Sequence, residues 1–245
     1  MARYKLTLEY DGTNFAGYQV QPLKRTIEGE LEKALESIYN QKVKTFASGR
    51  TDAGVHAYGA VVHFDAPKQL KHNQIADSIN AFLPDDVKVV DFEEVDESFD
   101  ARFTAKRKTY VYKFYLSRKE RPLYFNRALR VNVEADIDKM NEACEYLVGE
   151  HDFTSFVARK SGKTNFVRTI YSAQIEKTGE KEYQLKICGN GFLYNMVRII
   201  MGTLINVGYN RIKPESVKQI VDAKDRKFAG KTMPPYALYL LNVEY

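Results

Sequence analysis

The first hundred residues show apolar positions with two different spacings. Tyr4, Leu6, Leu8 and Tyr10 alternate with polar residues, which is the period of a half-buried strand. From Ile27 to Ile38 the apolar residues recur at helical spacing, and Thr26 is a suitable N-cap. Similar patterns predict three more strands and a second helix, at residues 42–47, 58–64 and 87–92 and at residues 73–82. This order of elements predicts a small antiparallel sheet backed by two helices, the split βαβ arrangement.

The second half has a comparable order of elements but no repeat of the sequence itself. Alternation from Tyr110 to Leu116 predicts a strand, and the helical spacing after Ile137 predicts a helix with Gly149 as its C-cap. The remaining predictions are strands at 166–175, 183–188 and 238–243, and helices at 192–207 and 214–223, the last with Pro214 at its first position.

These patterns together predict an α+β protein of two similar subdomains. The charged, aromatic stretch at 99–106 separates two strands and is the expected boundary, which divides the chain into residues 1–104 and 105–245. Each subdomain is expected to be a mainly antiparallel sheet backed by helices. The active-site cleft is expected between them.

Composition adds a mild basic character and little else. The 245 residues are 44% hydrophobic and 28% charged, with a net charge of +5 and a pI of about 8.9. Cys144 and Cys188 each lie in an apolar pattern, so we expect small buried side chains and no disulfide. The N-terminus has no apolar leader, and the apolar run 192–209 is interrupted by polar residues. We therefore expect a reduced, cytoplasmic setting and no membrane association.

The positive charge is concentrated in four short clusters, several of them beside aromatic residues. Such clusters are typical of proteins that bind a phosphate backbone and stack on unpaired bases, but they are also typical of solvated loops. Charge alone does not decide between the two interpretations. The clusters are Lys106–Lys108; Arg118, Lys119 and Arg121; Arg159, Lys160 and Lys163; and Lys224, Arg226, Lys227 and Lys231.

One short polar stretch, Ser48–Ala57, is the strongest candidate for a functional loop. It lies between two predicted strands, and Gly49 and Gly54 permit the backbone angles of a tight loop around Asp52. That aspartate is two residues from Arg50 and four from His56. It is a candidate nucleophile, general base or partner in a structural ion pair.

Several other kinds of site fit this loop poorly. His56 and His63 have no compact metal-ligand spacing with other residues, so no metal is expected. No nucleophile-elbow pattern surrounds Ser48, which argues against acyl transfer with His56. The loop also lacks the Lys-Ser/Thr ending of a phosphate-binding P-loop.

A carboxylate can act as a covalent nucleophile if it is ionised, positioned and shielded from water. A neighbouring guanidinium favours the ionised form, and the candidates are Arg50 in the loop and Arg198 in an apolar helix. Arg198 stands among aliphatic residues, where an unpaired charge is costly. A buried carboxylate partner is therefore expected for Arg198, and Asp52 is the candidate. The alternative is that the Arg198 side chain lies on the solvent-exposed face of the helix and has no such partner.

The stretch Gly49-Arg50-Thr51-Asp52-Ala53-Gly54-Val55-His56 resembles the signature of the tRNA pseudouridine synthase A family. The similarity extends over nearly the whole chain and in the same order. It includes residues 9–12, 17–19, 62–64, 80–84, 101–103, 110–112, 152–156, Phe192 with 196–198, and 238–240.

This resemblance implies an isomerase that converts uridine to pseudouridine at positions 38, 39 and 40, in the anticodon stem-loop of tRNA. It implies a homodimer that uses no cofactor and no metal. It also implies that Asp52 is the nucleophile, that Arg198 forms an ion pair with Asp52, that Arg50 helps to displace the base, and that Tyr110 stacks on the target uracil.

Three residues depart from the family pattern: Tyr18 where Trp is frequent, Asp100 where His is frequent, and Ala237 where Gly is frequent. These differences bear on substrate detail and not on the chemistry. Two alternative functions are a non-catalytic RNA-binding protein with a purely structural aspartate loop, and a pseudouridine synthase for a different RNA position.

Overall fold

The structure is a computed structural model that describes residues 2–68, 75–158 and 165–245. The chain forms two compact units. Unit 1 comprises residues 1–106 and 239–245, and unit 2 comprises residues 107–238. Across the described residues, no helix has the length and apolar character needed to cross a bilayer.

Unit 1 contains the order of elements predicted for the first hundred residues. Its strands and helices are β1 (Ala2–Tyr10), α1 (Ile27–Tyr39), β2 (Phe46–Ala47), β3 (His56–Ala66), α2 (Ile75–Asn80) and β4 (Val87–Val95), followed at the end of the chain by β10 (Leu238–Glu244). β1 pairs antiparallel with β3 on one side and with β4 on the other. The opposite edge of β3 is shared by antiparallel β2 and parallel β10, because each covers only two residues of it.

Local sequence explains the two longest elements at the start of this unit. The inward residues Tyr4, Leu6 and Leu8 of β1 are fully buried, as the alternation predicts. α1 begins where the Thr26 side chain accepts a hydrogen bond from the backbone N–H of Gly29, at 3.3 Å. It ends at Tyr39, and the C-cap Asn40 has a left-handed φ of 53° that stops the helix.

Unit 2 contains the remaining strands and helices. They are β5 (Arg107–Leu116), β6 (Leu129–Val131), α3 (Ile137–Glu145), β7 (Gly149–Asp152), β8 (Val167–Gly179), β9 (Glu182–Gly189), α4 (Met196–Gly208) and α5 (Ser216–Ala223). The sheet order β5-β9-β8-β7 is antiparallel throughout, and β6 pairs parallel with β5. The predicted α+β class, with mainly antiparallel strand pairing and helices, is confirmed.

Several element boundaries differ from the prediction. Gly149 is not a helix C-cap: α3 ends at Glu145 with Tyr146 as its C-cap, and Gly149 begins β7 with a φ of +111°. α4 begins at Met196 and not at Phe192, because Asn195 adopts a left-handed conformation just before it. α5 begins at Ser216, two residues after Pro214. The start of the helix predicted at 73–82 lies outside the described residues, and its described part ends at Asn80.

The boundary between the units lies at residues 106 and 107, close to the predicted division after residue 104. The division predicted from the sequence assigned the last residues of the chain to the second subdomain. In the structure, residues 239–245 belong to unit 1, because Tyr239 and Leu240 of β10 pair with His56 and Ala57 of β3.

Candidate active site

The candidate loop Ser48–Ala57 links β2 to β3 in unit 1. Ser48 begins it with a backbone hydrogen bond to Val61 O at 2.8 Å, and Val55 N donates to Asp52 O at 3.1 Å. Gly54 has a φ of +77°, which closes this turn and which a side chain would resist. Gly49 does not adopt a positive φ, so only one of the two predicted glycine angles is used.

A second segment, residues 11–18, packs directly on this loop. A Cβ on Gly12 would lie 2.0 Å from Val55 O, so the two backbones touch. Gly17 has a φ of +106°, and Tyr18 N donates to Thr51 O at 3.0 Å. The phenol of Tyr10 and the Thr51 hydroxyl lie 2.8 Å apart in the core. The residues on either side of Asp52 are therefore fixed by contacts to residues 10–18.

Asp52 is half-buried in this loop, between buried Thr51 and exposed Ala53, whereas Arg50 is exposed. The loop thus carries a carboxylate on a fixed backbone segment and a solvent-facing guanidinium within three residues. A carboxylate on such a segment is suited to attack on a bound substrate, because the backbone needs little rearrangement.

The two histidines near the loop are engaged in packing. His56 is buried, its Nδ1 lies 3.0 Å from Asp11 Oδ1 and 3.1 Å from Gly12 N, and its ring stacks on Tyr239. His63 Nδ1 accepts from Ala101 N at 3.1 Å, and burial lowers the pKa of this imidazole. Within the described residues no group of three or more His, Cys, Asp or Glu side chains forms a possible metal site.

Arg198 lies in the first turn of α4 in unit 2, where its flanking residues are buried and its own side chain is half-buried. Its Nε donates to Met233 O and its Nη1 donates to Asn195 Oδ1, both at 2.6 Å. The guanidinium is therefore not turned away into solvent but is held by polar groups of its own unit.

The structure distinguishes Tyr110 from Tyr112, which the sequence pattern does not. Tyr112 is fully buried, and its hydroxyl donates to Pro234 O at 2.8 Å. Tyr110 is half-buried, and its ring makes a T-shaped contact with Phe192, with centroids 5.1 Å apart. Tyr110 thus retains exposed surface for stacking, whereas the Tyr112 ring is buried in the core.

The predicted site residues are divided between the two units. Arg50 and Asp52 share one loop of unit 1, whereas Tyr110 on β5 and Arg198 on α4 belong to unit 2. Sequence reasoning missed the role of residues 11–18 in fixing the loop. The available signal was a pair of glycines, Gly12 and Gly17, in a segment that matched no helix or strand pattern.

One of the four basic clusters is partly neutralised. In the C-terminal cluster, Lys224 pairs with Asp152 at 3.3 Å and Lys227 with Asp225 at 3.0 Å. The cluster at Arg118, Lys119 and Arg121 is exposed and precedes Phe125, which is 77% exposed. This second cluster therefore offers the combination of charge and aromatic surface that suits RNA. Arg159, Lys160 and Lys163 lie outside the described residues.

Comparison with known proteins identifies the family. A family model described as tRNA pseudouridine synthase matches residues 7–104 and 143–245. The chain is 49% identical to tRNA pseudouridine synthase A of Anoxybacillus flavithermus over 249 residues, covering 100% of this chain and 99% of that protein. It is 46% identical to the Bacillus subtilis protein of the same name over 247 residues, with 99% of each chain covered.

Similarity to solved structures is much weaker. The crystal structure of a Cbf5-Nop10-Gar1 complex matches with a TM-score of 0.38 and 12% identity, covering 97% of this chain and 58% of that one. The sequence relationships are full-length and far stronger. On their strength this chain belongs to the tRNA pseudouridine synthases, isomerases that convert uridine in tRNA to pseudouridine.

Proposed function

We propose that this enzyme isomerises uridines 38, 39 and 40 of the anticodon stem-loop of tRNA, with Asp52 as the nucleophile. The observation that carries the proposal is the Asp52 loop, a signature-like stretch whose backbone is fixed on both sides of the carboxylate. The family membership supports tRNA as the substrate. The assignment to the anticodon stem-loop rests on the resemblance of the motifs.

The proposed reaction begins with capture of tRNA through its phosphates, a step that weakens as salt concentration rises. The target uridine then leaves its stack, at a cost of a few kcal/mol. Arg50, exposed beside Asp52, assists this displacement, and Tyr110 supplies a new stacking surface. Arg198 is proposed to form an ion pair with Asp52 and to keep the carboxylate ionised.

In the chemical step Asp52 adds either to ribose C1′ or to the uracil ring. The N1–C1′ bond breaks, the base rotates, and a new bond joins C1′ to C5. The bond to Asp52 also breaks: C5 displaces the carboxylate if it had added to C1′, and the carboxylate is eliminated from the ring if it had added to the uracil. The proton on C5 is then lost to solvent, and N1 gains one, so that the product is an isomer of the substrate. The chain itself supplies a nucleophile and an aromatic platform for this sequence. We also expect a homodimer, a cytoplasmic location and no requirement for a cofactor or metal.

The test is to map pseudouridine in an unmodified tRNA transcript after incubation with the enzyme. We expect modification confined to positions 38, 39 and 40 in transcripts that carry uridine there. The control is a transcript with cytidine at those positions. Modification at other uridines of either transcript would contradict the proposed site, and the absence of any pseudouridine would contradict the proposed reaction.

Tyr110 provides a second test, because stacking depends on the ring and not on the hydroxyl. A base stacked on an aromatic side chain contributes about 1–3 kcal/mol, so we expect Tyr110→Ala to lower kcat/KM by about 5- to 150-fold. Tyr110→Phe keeps the ring and its contact with Phe192, and it should stay within about threefold of the parent. Equal activity of Tyr110→Ala and the parent, measured by single-turnover assay, would exclude the stacking role.

A further inference from the structure

A loop segment of unit 2 runs along α4 in backbone contact with it. This segment, residues 229–234, is called the strap. A Cβ on Gly202 of α4 would lie 2.0 Å from Lys231 O, and one on Gly230 would lie 2.4 Å from Gly202 C. Gly230 N also donates to Thr203 Oγ1 at 2.9 Å. The strap therefore has one position along the helix, because a shift would bring backbone atoms into collision.

The end of the strap meets Arg198. Met233 N donates to Arg198 O at 3.2 Å, and Arg198 Nε returns a hydrogen bond to Met233 O at 2.6 Å. These two bonds tie the backbone and the side chain of the arginine to the same strap residue. The carbonyl of Met233 thereby fixes one edge of the planar guanidinium.

Asn195 fixes a second point on the same guanidinium. It immediately precedes α4 with a φ of 61°, and its side chain makes no hydrogen bond to the backbone N–H groups of the helix. Asparagine at this position commonly caps the helix. Here the Oδ1 atom instead accepts from Arg198 Nη1 at 2.6 Å. Two acceptors on different segments therefore define the plane in which Arg198 lies.

Tyr112 holds the strap from the sheet side. Its hydroxyl donates to Pro234 O at 2.8 Å, next to Met233. Burial raises the pKa of this phenol far above its usual value, so that it remains a protonated donor at every physiological pH.

We propose that Asn195 and Tyr112 are positioning residues for Arg198, Asn195 by direct contact and Tyr112 through the strap. This inference rests on the proposed function, in which Arg198 acts on Asp52. Its consequence is that each residue affects turnover only through the orientation of the guanidinium. Neither is expected to touch the substrate.

The experiment compares Asn195→Gly, Asn195→Asp and Tyr112→Phe in single-turnover and steady-state assays. Glycine keeps the left-handed backbone but removes the acceptor, so we expect kcat to fall by about tenfold with KM for tRNA within about twofold. Aspartate retains an acceptor oxygen and should restore most of the rate. Tyr112→Phe should lower kcat by about three- to tenfold. Tyr4→Phe, which removes the hydroxyl of another buried tyrosine, is the matched control and should turn over like the parent.

The same changes are then made in an Arg198→Ala background, with thermal unfolding measured for every variant and Arg198→Lys as a second background. We expect no further loss of rate there, because the oriented group is already gone. An equal loss in both backgrounds, or no recovery with Asn195→Asp, would overturn the positioning role. If Asn195→Gly and Tyr112→Phe were fully active while Arg198→Ala was impaired, the positioning role would be overturned and the proposed role of Arg198 would stand. Parental turnover of Arg198→Ala would instead overturn the proposed role of Arg198, and the inference with it.

Discussion

Asp52→Asn is expected to bind tRNA and to form no detectable pseudouridine. The amide is nearly the same size as the carboxylate but carries no charge and is a poor nucleophile, so that the covalent step is lost while the loop keeps its shape. Removal of a catalytic nucleophile commonly costs at least ~10⁴-fold in rate. The measurement is tritium release from tRNA labelled at uridine C5, with enzyme in excess, beside a binding isotherm for the same tRNA.

Two further variants make that result interpretable. Asp52→Ala excludes recovery of activity through deamidation of the introduced asparagine. Asp65→Asn is the matched control, because Asp65 is also a partly exposed carboxylate of unit 1, on β3, where it accepts two hydrogen bonds from Arg3 at 2.7 and 2.9 Å. Asp65→Asn should keep its turnover per folded molecule. Normal tritium release from both Asp52 variants would mean that Asp52 is a structural residue.

The elements that sequence predicts well are those whose pattern is local. β1 and α1 follow directly from apolar spacing and from the Thr26 cap, and the predicted order of elements in unit 1 is confirmed. β2 is shorter than predicted, because Thr45 N donates to Glu32 Oε1 of α1 at 3.0 Å and not to a neighbouring strand. That contact depends on where α1 lies, and the residues next to Thr45 in the sequence do not determine this position.

The missed strands have the same physical origin. β7 (Gly149–Asp152) has no alternation of apolar and polar residues, and it exists because it pairs with β8. β6 (Leu129–Val131) has three residues and pairs parallel with β5. Non-local pairing therefore decides both elements, and helix and strand propensities of the segments themselves do not.

The candidate site divides in a similar way. Asp52 and Arg198 can be identified from the sequence because each differs from the residues around it. Asp52 stands in a polar loop between two strands, and Arg198 is a charged residue in an apolar helix. Their supports are not identifiable, because the contacts of Gly12 with Val55 and of Gly202 with the strap join distant parts of the sequence. Tyr110 and Tyr112 have the same residue type and face the same side of β5, so that only their contacts separate them.

Gly12→Ala is expected to have the largest effect on the fold of the loop. The added Cβ would lie 2.0 Å from Val55 O and 2.6 Å from Val55 C, which are backbone atoms that cannot rotate away. Either segment 11–18 or the loop that holds Asp52 must therefore move. We expect the free energy of unfolding to fall by at least about 2 kcal/mol. Turnover of the folded fraction should also fall, by about 10²-fold, because a displacement near 1 Å has that effect on a catalytic group.

The matched control for this change is Gly179→Ala in the β8–β9 hairpin of unit 2. There the added Cβ would lie 3.1 Å from Glu182 Oε2, a side-chain atom that has to shift by only a few tenths of an ångström, whereas the Val55 contact of Gly12 involves backbone atoms. Gly179→Ala should change the free energy of unfolding by no more than about 0.5 kcal/mol.

Two measurements separate lost stability from a displaced loop. They are denaturant unfolding and the single-turnover rate at denaturant concentrations well below the unfolding transition. If Gly12→Ala lowered stability and left the rate per folded molecule unchanged, the contact with Val55 would support the fold of unit 1 without setting the position of Asp52. If it matched the parent in both measurements, the close approach of the two backbones would not exist in solution.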